Sequence, residues 1–309
     1  QIDKKIKTKI LNITPLGIFE VPINLIPVIN RFDVVINVGF NYVAIWLILL
    51  KLFNSFKLVN WWGGTILSES KISIIKKYFR KMIWQFFDGA ICYSDLSLNY
   101  LKTLGVHNKK FSVIGNNTYK IPVFTKSHIK KFDFISVAFQ NDRKNTIIIL
   151  KAFKKLKELI SENINMLIIG DGPELHNLKK FSKQNKLNIK FKGNIPAKDV
   201  SNYLMKSKVF IHNAKIDQWP QAYNESQIFR VPSLVSSSSG ISDYYYKKNK
   251  TTISYSFDDE CGLSKKMKEI LQNKDLYNSL LIDIDENLNR YNSETSIKKI
   301  KNLIFELTK

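Results

Sequence analysis

Two acids, Asp217 and Glu225, stand eight positions apart in "AKIDQWPQAYNESQIFRVPSLVSSSSGISDYY", which runs from Ala214 to Tyr245. A Pro, a run of serines and a Gly follow them. On their own such acids read as a solvated loop carboxylate and a solvated helix carboxylate. They become half of a site only if other polar groups reach the same place. Upstream, Arg143 and Lys144 stand at the start of a helical pattern, directly after a strand pattern. There the N–H groups of a helix start and the helix dipole add to two side-chain cations, a setting suited to an anion. "GDGP" (Gly170 to Pro173) ends a second strand pattern and "KGN" (Lys192 to Asn194) a third. Strand ends that all carry turn or charged residues describe one cleft, because open α/β sheets bind ligands outside the carboxyl ends of their strands.

The elements that position these residues follow from hydrophobic period. From Lys131 onward, short β-rich runs alternate with amphipathic stretches, the pattern of a parallel sheet with helices on both faces. "FDFISVAF", "INMLIIGDG", "NIKFKGNI", "KVFIHNA" and "PSLVSS" read as strands. Helices are expected in "RKNTIIILKAFKKLKELI" (Arg143 to Ile160), where Ile149, Phe153, Leu156 and Ile160 recur at helical spacing, from near Pro173 and Ala197, and over Gln221 to Phe229. Three more begin near Phe257, Asp275 and Ser293. The first part is less regular, with strands expected at "FDVVINVG", "FKLVNWW", "GAICYS" and "FSVIGNN". This first unit is expected to be incomplete on its N-terminal side, and a linker is expected from Tyr119 to Lys131, where Pro122 sits among basic and polar residues.

The 309 residues carry 48 Lys+Arg against 26 Asp+Glu, a formal net charge of +22, with 44% hydrophobic residues. That composition describes a folded chain with a basic surface, whose partner could be a phosphorylated substrate, an anionic membrane or nucleic acid. Cys92 and Cys261 lie outside any CxxC or Cys/His cluster, so they read as reduced structural thiols, and no metal site is signalled. His212, inside "VFIHNA", reads as a structural histidine. The run "YVAIWLILL" is too short to span a bilayer and reads as a buried helix. In "KISIIKKYFRKMIWQFF" (Lys71 to Phe87), lysines alternate with large apolar residues; such a helix can lie on an anionic membrane or pack on a core with a solvated basic face.

The half from Phe132 onward resembles the nucleotide-binding domain of retaining GT-B glycosyltransferases of glycosyltransferase family 4. Lys144 and Phe153 match that family's helix-start Lys and the Phe nine residues on. "GDGP" matches its turn, and Phe191, Gly193, Val200, Tyr203, Ser207, Val209 and Phe210 match its next block. Asp217 and Glu225 have the spacing of its two acids, with Pro232 and "SGISD" (Ser239 to Asp243) in register after them. The register runs without a gap from Lys192 to Asp243. "FDGAICYSDLSLNYLKTLGVHNKKFSVIGNN" resembles a segment of the N-terminal half through Asp88, Ser94, Leu101, Gly105, Val106 and Asn116.

The resemblance implies two Rossmann-like domains facing a cleft, with residues 1–124 on the acceptor side and 125–309 holding a nucleotide-diphosphate sugar and ending in closing helices. It implies retaining transfer of a hexose-type sugar to a glycan or lipid-linked acceptor, in the cytoplasm or at the inner face of the cell membrane, without an obligatory cofactor or metal. Lys144, with Arg143, would hold the diphosphate. Glu225 would hold the ribose hydroxyls, and Asp217 the donor sugar. Backbone N–H groups of Trp219, Pro220's neighbours, Gln221 and Ala222 would add donors, with Gly172, Gly193 and Asn194 lining the site. Trp61, Trp62, Gly63 and Gly64 occupy the strand end facing the acceptor. Asp217 stands where the family usually has Glu, Phe139 where it often has Arg, Arg230 and Ser239 where it has Gly; these departures bear on donor affinity. The competing readings are a basic polyanion or nucleic-acid binder, for which no RNA-binding motif is present, and a family member that has lost catalysis.

Overall fold

The computed structural model describes residues 13–16, 19–22, 29, 31–66, 68–70, 72–115, 129–217, 219–241, 252–290 and 292–309. Lys71, Asn116, residues 119–128 of the expected linker, and Asp243 lie outside them. β1 (Ile13–Leu16) and β2 (Phe19–Pro22) form an antiparallel pair. A four-stranded parallel sheet follows in the order β3-β4-β5-β6, from β3 (Val34–Val38), β4 (Lys57–Trp62), β5 (Gly89–Cys92) and β6 (Lys110–Val113). α1 (Tyr42–Lys51), α2 (Ile74–Trp84) and α3 (Asp95–Thr103) connect these strands. Asn41 and Ser73 cap α1 and α2 by accepting from the N–H of Ala44 and Lys76, the usual use of short polar side chains before a helix.

The second sheet is six-stranded and parallel, in the order β12-β11-β10-β7-β8-β9. Its strands are β7 (Phe132–Val137), β8 (Met166–Ile169), β9 (Ile189–Phe191), β10 (Ser207–His212), β11 (Ser233–Ser236) and β12 (Thr252–Tyr255). This is the doubly wound order, in which the connections reverse direction between β7 and β10. The helices are α4 (Thr146–Leu159), α5 (Leu175–Gln184), α6 (Ala197–Met205), α7 (Gln221–Ile228), α8 (Glu260–Gln272) and α9 (Lys274–Arg290). β8 is a continuous apolar run, and β7 and β10 are apolar at Phe134–Ile135 and Val209–Ile211, because both faces are covered there. On one face Phe134, Phe153 and Leu156 pack with no exposure; on the other Ile135, Phe210 and Tyr223 do. The α/β, GT-B-type arrangement expected from the sequence is the one observed.

Three features depart from expectation. β12 pairs with β11 in a stretch where the sequence pattern gives no strand. α1 is only half buried: Ala44 and Leu47 face the core, while Ile45 and Leu49 are exposed. Lastly α10 (Ser293–Thr308) lies against the first sheet. Its Leu303 packs on Val59 and Ile91, its Ser296 hydroxyl donates to the Ile114 carbonyl at 2.8 Å, and Lys299 donates to Val113 O at 3.0 Å. Among the described residues no helix is long and apolar enough to cross a membrane.

Candidate active site

The reversal between β7 and β10 brings the loops after both strands together. Arg143 and Lys144 lie after β7, just before α4; Asp217 lies after β10. Lys144 Nζ and Asp217 Oδ2 form an ion pair in which both side chains are 11% exposed. Arg143 Nη1 is 3.8 Å from the same oxygen and donates to Ile216 O at 3.0 Å. The loops are also joined through the backbone, Lys215 N–H donating to Arg143 O at 2.8 Å, while the Asn213 amide donates to Asn145 O at 2.9 Å. The positive pair and the first acid predicted from sequence are therefore one cluster.

His212, read from sequence as structural, belongs to this cluster. It is the last residue of β10, buried, with Nε2 3.4 Å from Asp217 Oδ2, without the alignment of a hydrogen bond. Burial pushes the His212 pKa down, and Lys144 and Arg143 push the same way, against the pull of Asp217. Burial opposes ionisation of Asp217, but His212 and then Lys144 outweigh that and hold the carboxyl far below the usual carboxylate range. With His212 neutral near pH 7, the Lys144 ammonium is the nearest full positive charge to Asp217, with Arg143 second. The consequence for stability follows from linkage. Below about pH 6.5 the unfolded chain takes up a proton that native His212 refuses, so stability falls with pH by up to about 1.4 kcal/mol per unit. Urea denaturation at pH 7 and pH 5.5 should show a flatter dependence for His212→Gln than for the parent. Equal slopes would exclude a buried neutral His212.

α7 approaches the cluster with its N-terminal end. Pro220 occupies the cap, Gln221 is exposed, and Glu225 is half-buried on the second turn. Tyr223 N–H of the first turn bonds back to Pro220 O at 3.1 Å, and the positive end of the helix dipole makes this end suited to an anion. The Trp219 side chain points elsewhere. It is buried, and its Nε1 donates to Asn224 Oδ1 at 2.8 Å, so its indole does not face a ligand.

The serine run is knitted into the site and not a surface turn. Ser236 and Ser239 are buried, Ser236 Oγ accepts from Ala214 N–H at 3.1 Å, and Ser238 bonds to the Ala214 carbonyl. Gly240 N–H donates to Asp217 O at 2.7 Å. Ser239, where the resemblance has Gly, is thus a support of the Asp217 loop. Arg230 is remote from this support: it adopts a left-handed φ of 53° at the end of α7, and its guanidinium donates to Asp285 on α9 at 2.8 Å. The left-handed backbone accounts for a glycine preference at this position.

The "GDGP" turn is held from the β7 side. Gln140, fully buried, donates to Ala138 O and Ile169 O and accepts from the Thr146 hydroxyl. Its backbone N–H donates to Asp171 O at 2.8 Å, and Glu174 N–H donates back to Gln140 O at 3.0 Å. Nothing in the sequence reading singled out Gln140; its place just after a strand end was the available signal. Gly193 O accepts from Gly170 N–H at 2.7 Å, while Asn194 is exposed beyond the edge strand β9, two strands from Lys144.

Of the four residues expected on the acceptor side, Trp62 is a core residue. Its ring packs edge-on to Phe40 and Trp84 and is stacked on Tyr100, and Gly64 lies against the indole. Trp61 points to the opposite face, with Val59 and Ile300. Gly63 is half-buried between them and the cleft. The residues that do reach across are the next ones, Thr65 and Ile66. With Leu96 and Asn99 they face Asp217 and Ser237 to Gly240 around a cavity of about 400 Å³. A larger hollow of about 660 Å³ lies between Arg31, Lys57 and Lys309. It opens at the amino-terminal ends of β3 and β4, away from the loops that gather polar groups, so the smaller cavity is the site.

Cys92 is buried in β5, where burial and then Asp95 push its thiol up to about 12, and Cys261 is exposed; they are not bonded. Among the described residues no group of three His, Cys, Asp or Glu side chains could hold a metal ion.

Residues 120–282 match the family model described as glycosyl transferases group 1, more than half of the chain. No curated protein sequence matches. Among solved structures the fold is similar to Alr3699/HepE of Anabaena in complex with UDP, at a TM-score of 0.78 and 12% identity, covering 92% of this chain and 81% of that one. The same protein in complex with UDP and glucose gives 0.74 at 13% identity, with the same coverage. The lipopolysaccharide outer core galactosyltransferase WaaB gives 0.68 at 14% identity, covering 89% of this chain and 75% of that one.

Proposed function

The chain belongs to the glycosyl transferases group 1 family, and we propose that it is a retaining enzyme of the glycosyltransferase family 4 type. It moves a hexose-type sugar from a nucleotide-diphosphate donor to a glycan or lipid-linked acceptor, at the inner face of the cell membrane. The observation that carries this reading is the meeting of Lys144, Arg143 and Asp217 at the point where the strand order reverses, beside the N-terminal end of α7. The UDP found in Alr3699/HepE supports a nucleotide donor, and the unbroken motif register from Lys192 to Asp243 supports retention.

In this reading Lys144 and Arg143 lie on the diphosphate. As the bond from the anomeric carbon to the diphosphate oxygen breaks, they offset the charge that grows on the leaving group. Two fixed cations and a helix N terminus supply this without a metal. Asp217 holds the donor sugar, Glu225 accepts from the ribose hydroxyls through charge-assisted bonds, and the acceptor enters past Thr65 and Ile66. Calorimetric titration with UDP-, GDP- and ADP-sugars tests the reading. One nucleotide class should bind, and Glu225→Gln should weaken it about tenfold or more. Absence of nucleotide binding, or binding indifferent to the substitution, would refute the donor site. Affinity for any oligonucleotide, lost at high salt, would favour the polyanion binder.

A further inference from the structure

The cavity in front of Asp217 has neutral walls on a strongly basic protein. On the side facing Asp217 it is lined by two aliphatic side chains, Ile66 and Leu96, and three neutral polar ones, Thr65, Ser70 and Asn99. Among the described residues no Lys or Arg lines it, although the chain carries a net charge of +22, and Asp217 is its one charged group. The charges nearest along the same loop are engaged with each other. Glu69 accepts from the Arg80 guanidinium, which lies over the Phe40 and Trp62 rings at 5.4 and 5.7 Å, and Glu69 Oε1 is so near Gly64 that a Cβ there would meet it at 2.9 Å. Both side chains of that pair are less than a quarter exposed, at 22% and 12%. On the opposite side Lys144 and Arg143 stand beside Asp217. With these two cations on the diphosphate, as proposed above, Asp217 is the charge that faces an incoming acceptor.

We infer that the acceptor presents an uncharged sugar to this cavity, and that a uronic acid or a phosphorylated sugar is excluded. A neutral sugar suits both kinds of wall. Its hydroxyls exchange hydrogen bonds with Thr65, Ser70 and Asn99, while the C–H face of its ring covers Ile66 and Leu96. A carboxylate or phosphate in the same place would lose its water to a wall without a cation, and would stand against the ionised Asp217 carboxylate. Exclusion by an unpaired charge is a common device of specificity. The surface lysines do not offset it, because salt screens exposed charges beyond about 8 Å at physiological ionic strength. The inference rests on the proposed transfer reaction and narrows its acceptor.

Acceptors matched except for a hydroxymethyl or a carboxylate group isolate the charge. Release of nucleoside diphosphate from the UDP-, GDP- or ADP-sugar that binds is followed with p-nitrophenyl glucoside against glucuronide and galactoside against galacturonide, with products identified by mass spectrometry, at about 0.15 M salt. At least one neutral glycoside should accelerate release, and its acidic partner should show a kcat/KM lower by about tenfold or more. Asn99→Lys places a cation on the facing wall and should narrow that gap by about tenfold, with a circular dichroism spectrum like the parent's. An acidic glycoside used as well as its neutral partner, a gap unchanged in Asn99→Lys, or no acceleration by any neutral glycoside overturns the inference. Nucleotide titration of the same preparations separates the failures. If nucleotide binds while the acidic glycoside is used, the acceptor class alone is wrong; if no nucleotide binds, the donor site beneath it fails as well.

Discussion

Replacing Lys144 by Ala is expected to lower sugar transfer, or hydrolysis of the donor, by about 10²- to 10³-fold, the usual cost of removing one donor aimed at developing charge. The same change should destabilise the empty protein. Lys144 is the main counter-charge of Asp217, which is 11% exposed and sits beside a neutral His212. Breaking such a pair strands a carboxylate, at about 3 kcal/mol, the low end of the range because Arg143 remains 3.8 Å away. Adding Asp217→Asn removes the stranded charge. The double variant should therefore recover most of the stability and none of the activity. Urea denaturation and initial rates on the three proteins would decide; a single variant as stable as the parent would mean that the ion pair is not what keeps Asp217 ionised.

Gly170→Ala is the second large effect, and it acts on folding before chemistry. Gly170 has φ of +120°, and a Cβ there would sit on the carbonyl oxygen of Ala138 at the end of β7. The oxygen cannot retreat, because Gln140 ties the same loop to Ile169 and to Asp171. A loss of about 4 kcal/mol or more is expected, in the range reserved for strain and overpacking. Gly193→Ala is the control: its φ is +61°, its Cβ would meet nothing within 4 Å, and it should cost only about 1 to 2 kcal/mol. If both substitutions cost the same, close approach is not the reason for the first glycine.

These two residues were both legible in the sequence, and the reason is physical. Strands covered on both faces are apolar through their middles, as β7, β8 and β10 are, and their ends mark where Lys144, "GDGP" and Asp217 gather. β12 did not, because it is an edge strand whose Thr252 and Ser254 break the apolar run. His212 was hidden by its apolar neighbours, although its position at a strand's carboxyl end was the available clue. Nothing in the serine run marks its role, because composition cannot distinguish a solvated hydroxyl from one spent on the Ala214 backbone. At "NWW" the alternation of a strand sends Trp62 into the core with Leu58 and Trp61 to the other face with Val59, which leaves Thr65 and Ile66 to face the cleft.

Where α10 docks could not be read from its period, since an amphipathic helix does not say which sheet it will cover. Its position has a consequence for synthesis. The apolar face of the first sheet, including Val59 and Ile91, is covered by residues made long after it; Ser296 bonds to Ile114 across 182 positions. At about 5 to 20 residues per second, the ribosome leaves that face bare for about 10 to 40 s. The first sheet completes its core only when α10 leaves the exit tunnel, so a nascent chain truncated near residue 290 would expose a sticky half-built sheet to chaperones.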